Sequence, residues 1–186
     1  MFSYRIERQQ LISIVILLTG AVWIWFSRVP TDSRSPQSIS APQESFLAPD
    51  FTLTTLDGEL LILSDLRGYP VILNFWASWC PPCRAEMPAL QQVFDEYEDL
   101  GLIIVAINAT NQDSLSEAAA FVSKNSLTFP IPLDKTGLVS RSYNLHSLPT
   151  TVFIDSQGII RKIIIGGPIP TALMRIQVEK LFQDKP

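Results

Sequence analysis

Cysteine is almost missing from this 186-residue chain, which has only two, and histidine occurs once. Two cysteines cannot build a multi-bridge disulfide scaffold, and one histidine cannot help them complete a four-ligand structural zinc site. Basic clusters are missing too. The chain has 14 Lys/Arg against 18 Asp/Glu, and residues 46–186 have 10 against 15. No Lys/Arg-rich run is present, so the electrostatic footprint of a nucleic-acid partner is excluded. The acidic stretch Asp95–Asp99 reads as a solvated helix end. No internal repeat is visible, which removes solenoid and propeller architectures. The composition, 47% hydrophobic and 17% charged, is that of a globular domain of ordinary size.

What is present is concentrated in Trp79-Cys80-Pro81-Pro82-Cys83, directly behind the apolar run Val71–Trp76. A C-x-x-C between a buried strand and a helix reads as a thiol–disulfide couple. Cys80 falls at the helix start, where unpaired N–H groups and the positive dipole end favour a thiolate. Pro81 and Pro82 suit the first turn, whose donors have no intrahelical partner in any case. Cys83, one turn deeper, is the expected resolving thiol.

A single long apolar segment, Leu11–Phe26, is flanked by Arg5 and Arg8 on one side and Arg28 on the other. Its length lies near the lower end of the roughly 17–25 residues that span a bilayer. Trp23, Trp25 and Phe26 gather at its far end, as interfacial aromatics do. No A-x-A pattern follows it closely, so the segment reads as an uncleaved signal-anchor rather than a cleaved leader. Residues 1–27 are then tail and anchor, 28–45 a Ser/Pro-rich linker, and 46–186 the folded domain. Lys/Arg counts at the two ends are tied, so charge does not orient the anchor. An exported domain on a single-pass anchor follows from function instead.

Within the domain, Asp57-Gly58 separates two short strands in a hairpin, and Ser64–Gly68 reads as a helical turn. Val71–Trp76 and Leu102–Asn108 are strands covered on both faces. The helix after Cys80 places Leu90, Val93, Phe94 and Tyr97 at core spacing, and Pro88 is expected to kink it. Ser114–Lys124 is a helix capped by Ser114, with Leu115, Ala118, Ala119 and Val122 facing inward. Thr150–Asp155 and Ile159–Ile165 form a hairpin across Ser156-Gln157-Gly158, and Thr171–Phe182 is the last helix. This order implies an α/β domain with a mixed central sheet flanked by helices.

That order, with W-C-P-P-C at the strand–helix junction, resembles the thioredoxin fold. Residues Asn74–Pro88, together with Ala48-Pro49-Asp50-Phe51, Leu148-Pro149-Thr150-Thr151 and Asp155-Ser156-Gln157-Gly158, resemble the membrane-anchored TlpA/ResA-type thiol–disulfide oxidoreductases of the AhpC/TSA-redoxin group. The resemblance covers about residues 46–182. It implies an N-terminal β-hairpin extension, a central strand–helix insertion and a preceding transmembrane helix. It also implies a monomer, and no cofactor beyond the Cys80–Cys83 disulfide. Leu148-Pro149 matches the family's cis-proline, which offers backbone to a client. Cytosolic thioredoxins carry a buried aspartate six residues before the first cysteine. Here that place is Asn74, which cannot take a proton. Glu86, three residues after Cys83, matches the family's glutamate and is the implied proton acceptor. Trp79 is expected to screen the disulfide, and Trp76 to belong to the core.

The leading reading is a membrane-tethered reductase of protein disulfides outside the cytoplasm. Its partners would be disulfide clients and a transmembrane thiol reductase, with cytochrome c maturation as a destination. A Cu(I) chaperone using Cys80, Cys83 and His146 is a second reading, although copper carriers of this fold usually space their cysteines by three intervening residues. A thiol peroxidase is a third, and the Thr or Ser expected three residues before its cysteine is Ala77 here.

Overall fold

The structure, a computed structural model, describes residues 18, 19, 23 and 40–183. The expected anchor Leu11–Phe26 lies outside the described residues, apart from Leu18, Thr19 and Trp23. Among the described residues no helix is long and apolar enough to cross a membrane.

Strands β1 (Thr52–Thr54) and β2 (Leu60–Ile62) pair antiparallel around the Asp57-Gly58 turn. A 3₁₀ turn at Leu63–Leu66 leads into β3 (Val71–Trp76), followed by α1 (Pro81–Tyr97), β4 (Ile103–Asn108) and α2 (Leu115–Lys124). Then come the short α3 (Leu138–Ser142), β5 (Thr150–Ile154), β6 (Ile160–Ile165) and α4 (Thr171–Gln183). The main sheet has the order β4-β3-β5-β6. β3 runs parallel to β4 and antiparallel to β5, and β5 runs antiparallel to β6. The expected thioredoxin-like mixed sheet is present. The segment between β4 and β5 carries a 3₁₀ turn at Thr110–Gln112 and then helices α2 and α3. The chain then returns along β4, where Ala106 N donates to Pro130 O at 3.0 Å and Asn108 N to Pro132 O at 2.9 Å.

Side chains alternate across a strand, so β3 divides its residues between two cores. Ile72 and Trp76 face a cluster with Met87, Leu90 and Val93 of α1, Ala118 of α2, and Met174 and Val178 of α4. Val71, Leu73 and Phe75 face the other side, against Phe51, Leu61, Leu63, Val139 and Tyr143. Every residue of β3 and β5 is buried, as interior strands require. Ile72, Leu73, Phe75 and Phe153 are fully enclosed, each contributing about 1.5–3 kcal/mol. That stabilisation offsets the polar side chains Asn74, Glu86 and Thr151, which are buried in the same layer.

Two details differ from expectation. Leu115 does not face inward: it is 44% exposed, and Phe121 supplies the contact instead, its ring 5.5 Å from that of Trp76. Residues 40–45, assigned to the linker by composition, run beside β6. Ser45 N donates to Ile160 O at 2.8 Å, Ile160 N to Phe46 O at 2.9 Å, and Ile163 N to the Glu44 carboxylate at 3.1 Å. Lys162 Nζ meets that carboxylate at 3.0 Å. This strip covers backbone donors that an edge strand would otherwise leave exposed.

Candidate active site

Strand β3 ends in the core and only four residues separate it from α1, so the short connection carries Cys80 to the helix start. Cys80 is the N-cap residue with extended backbone, and Pro81 and Pro82 occupy the first helical positions. Cys80 and Cys83 are joined as a disulfide with Cα atoms 5.3 Å apart. Exposure barely separates the two sulfurs' residues, at 3% and 1%. Hydrogen bonding does separate them, because Cys83 N donates to Cys80 Sγ at 3.3 Å. In the reduced protein that donor and the helix dipole act on the Cys80 sulfur, the one positioned as a cap.

Asn74 lies on the same face of β3 as Ile72 and Trp76, directly under α1. Inward positions of α1 recur at Cys83, Glu86, Met87 and Leu90, which brings Glu86 over Asn74. Asn74 Nδ2 donates to Thr151 Oγ1 at 2.9 Å and to Glu86 Oε1 at 3.3 Å, and Thr151 Oγ1 donates to the same oxygen at 3.1 Å. Glu86 is fully buried, so it is not a surface glutamate in a helix salt bridge. Burial pushes its carboxyl up to about 7, although the bonds from Thr151 and the Ile169 backbone pull the other way. Glu86 Oε2 and Asn74 Oδ1 have no well-formed hydrogen bond among the described residues. Thr151 escaped sequence reasoning as a site residue; its signal is its register opposite Asn74 across β3 and β5.

The Leu148–Pro149 bond is cis, and Pro149 O accepts from Gly166 N at 2.8 Å. Leu148 packs against the core cluster that contains both cysteines. Trp76 is enclosed and donates through Nε1 to Ala106 O at 3.2 Å. Trp79 is 55% exposed, with Nε1 donating to Gln112 O at 2.9 Å. It borders a groove of about 370 Å³, shared with Gln112, Leu145, His146 and Leu148. His146 therefore lines a surface beside the redox segment. Among the described residues no three His, Cys, Asp or Glu side chains are grouped to hold a metal.

Asp113 was also absent from the sequence reading, since nothing local ties it to Cys80. Its carboxylate accepts from Ser78 N and Ser78 Oγ, both at 2.6 Å, from Asn108 Nδ2 at 2.7 Å and from Ser114 N at 2.8 Å. Burial alone would raise its pKa, but these donors outweigh burial and hold the carboxyl below its usual range. Gln112 and Asp113 thus hold Trp79 and Ser78, the two residues leading into Cys80. Asp113→Ala strands partly buried donors and is expected to cost about 2 kcal/mol, or roughly 4–8 °C in Tm. Thermal unfolding with Trp79 fluorescence checks this, and an unchanged melting curve would reduce the clasp to a surface feature.

The AhpC/TSA family profile matches residues 47–163. The chain belongs to the AhpC/TSA family. It is 47% identical over 125 residues to thioredoxin-like protein YneN of Bacillus subtilis, covering 67% of this chain and 72% of YneN. It is 37% identical over 158 residues to the thiol-disulfide oxidoreductase ResA of Oceanobacillus iheyensis, covering 83% of this chain and 78% of ResA. The crystal structure of StoA from Bacillus subtilis matches with a TM-score of 0.61 at 32% identity, over 70% of this chain and 96% of StoA. This AhpC/TSA protein is a thiol–disulfide oxidoreductase of the ResA/DsbE type, with its redox couple at Cys80 and Cys83.

Proposed function

We propose that the protein is a membrane-tethered, extracytoplasmic reductase of protein disulfides, with Glu86 as the base that activates Cys83. The observation that carries the reading is the buried Glu86 carboxyl, raised to about 7 and one helical turn beyond Cys83. A base with that proton affinity is half ionised near neutral pH, where it can accept a thiol proton and later release it.

The Cys80 thiolate attacks one sulfur of a client disulfide, forming a mixed disulfide and releasing the other client sulfur as a thiolate. Glu86 takes the proton from the Cys83 thiol. Cys83 then attacks Cys80 Sγ, closing the Cys80–Cys83 disulfide and releasing the second client thiolate. Two electrons pass to the client, and the proton held by Glu86 leaves with the products. Pro149 offers its backbone edge to the client, Leu148 and Trp79 form the apolar surround, and Asn74 holds Glu86 without competing for its proton. A transmembrane thiol reductase, as donor of two electrons, restores the dithiol. The Leu11–Phe26 anchor and the linker keep the monomeric domain near that donor. A cysteine-containing client of cytochrome c maturation fits a reductase in an oxidising compartment.

In intact cells the full-length chain is expected to hold Cys80 and Cys83 mostly reduced, and a membrane-impermeant thiol reagent should label Cys80. Labelling only after lysis would place the domain in the cytoplasm. A pair that stays oxidised under all growth conditions would reverse the direction of electron flow.

A further inference from the structure

Gly166 and Gly167 follow each other at the end of β6, yet they are glycines for different reasons. Gly166 has φ +86°, a left-handed backbone, and a Cβ there would meet nothing within 4 Å. Gly167 is outside the left-handed region, so its backbone does not demand glycine. Space does. A Cβ on Gly167 would collide with Glu86 Oε2 and would lie 2.7 Å from Pro149 Cγ. Neither can retreat easily. The carboxylate is enclosed and held through Oε1 by Asn74 and Thr151, and the proline is a closed ring whose carbonyl is tied to Gly166.

We propose that Gly167 is a positioning residue for the redox reaction: its bare Cα leaves room beside it for both the Glu86 carboxylate and the Pro149 ring. The proton acceptor and the client-facing proline share one point of contact, and that point is backbone. A side chain there would push Glu86 away from Asn74 Nδ2 and Thr151 Oγ1, both of which favour the ionised carboxyl, and would add apolar contact to it. Both effects make the carboxyl harder to ionise. The inference rests on Glu86 as the base for Cys83.

The test uses the oxidised full-length chain with ¹³C-labelled glutamate carboxyls, Glu86 being assigned by its loss in Glu86→Gln. Gly167→Ala is expected to raise the Glu86 midpoint by about half a pH unit or more, and to slow client reduction near neutral pH about threefold, mainly in kcat. Gly166→Ala is expected to lower Tm and leave the Glu86 midpoint in place. If Gly167→Ala fails to fold, Gly167→Ala combined with Glu86→Ala should regain part of the lost stability, because the nearer of the two obstructions is gone. An unmoved midpoint in Gly167→Ala, an equal shift in Gly166→Ala, or no rescue by Glu86→Ala would each overturn the proposal. The titration needs no turnover. A shifted midpoint with a rate–pH profile insensitive to Glu86→Gln would keep the geometry and remove Glu86 as the base.

Discussion

Cys83→Ser in the full-length chain is expected to accumulate as a mixed disulfide with its client, while Cys80→Ser captures nothing. Turnover ends in both variants, but for different reasons. Cys80 caps α1 and receives the Cys83 N–H, so its thiolate gains from the helix end, an effect of about 0.3–1 kcal/mol at the surface and up to ~2 when partly buried. Cys83 sits inside the first turn without such a donor; both cysteines belong to the core cluster, so the helix end and not burial separates them. Removing Cys83 therefore leaves an attacking group and removes the group that releases the client. Removing Cys80 leaves a shielded thiol with no helix end to ionise it. Non-reducing gels of cells trapped with acid, followed by identification of the captured protein, read the result. Equal capture by the two variants would contradict the assigned roles.

Glu86→Gln is expected to slow resolution of the mixed disulfide by about a hundredfold or more near neutral pH, the lower end for losing a general base. It should also change stability with a defined sign. Between about pH 4.5 and 7 a glutamate in the unfolded chain ionises while Glu86 in the fold stays protonated. The folded state therefore loses stability as pH rises through that window, and stays lower above it. The raised carboxyl corresponds to a penalty on the order of 3 kcal/mol above pH 7. Glutamine resembles the neutral form and does not carry that penalty. The oxidised Glu86→Gln protein should be the more stable one at pH 8 and close to the parent at pH 4. Denaturant unfolding at the two pH values checks the stability, and quenched-flow analysis of the mixed disulfide checks the rate. Parallel stability curves together with an unchanged thiol titration would reduce Glu86 to a packing residue.

Local periodicity made much of the framework readable before any coordinates. The run Val71–Trp76, apolar except for Asn74, reads as a strand covered on both faces. The step from that run to Cys80-Pro81-Pro82-Cys83 marks a helix start, because proline tolerates the first turn and little beyond it. The Thr150–Ile165 hairpin follows from its turn residues, and the Ser114 cap from its spacing to Glu117. These features depend on neighbours within one turn or one strand, which is the range over which a sequence states its own geometry.

The polar network depends on chain segments that meet only after folding. Asn74 and Thr151 are 77 positions apart and become partners because β3 and β5 pair in that register. Nothing near Asp113 announces that it grips Ser78, 35 positions earlier. The strip at residues 40–45 has a linker's composition, and only the open edge of β6 turns it into structure. Gly167 looks like the second half of a flexible pair until Glu86 and Pro149 stand on either side of it. By itself the sequence determined which two atoms carry the electrons and that a helix start activates one of them. Only the tertiary structure decided how tightly Glu86 holds its proton, because a carboxyl's proton affinity is set by what surrounds it, and those surroundings come from distant segments.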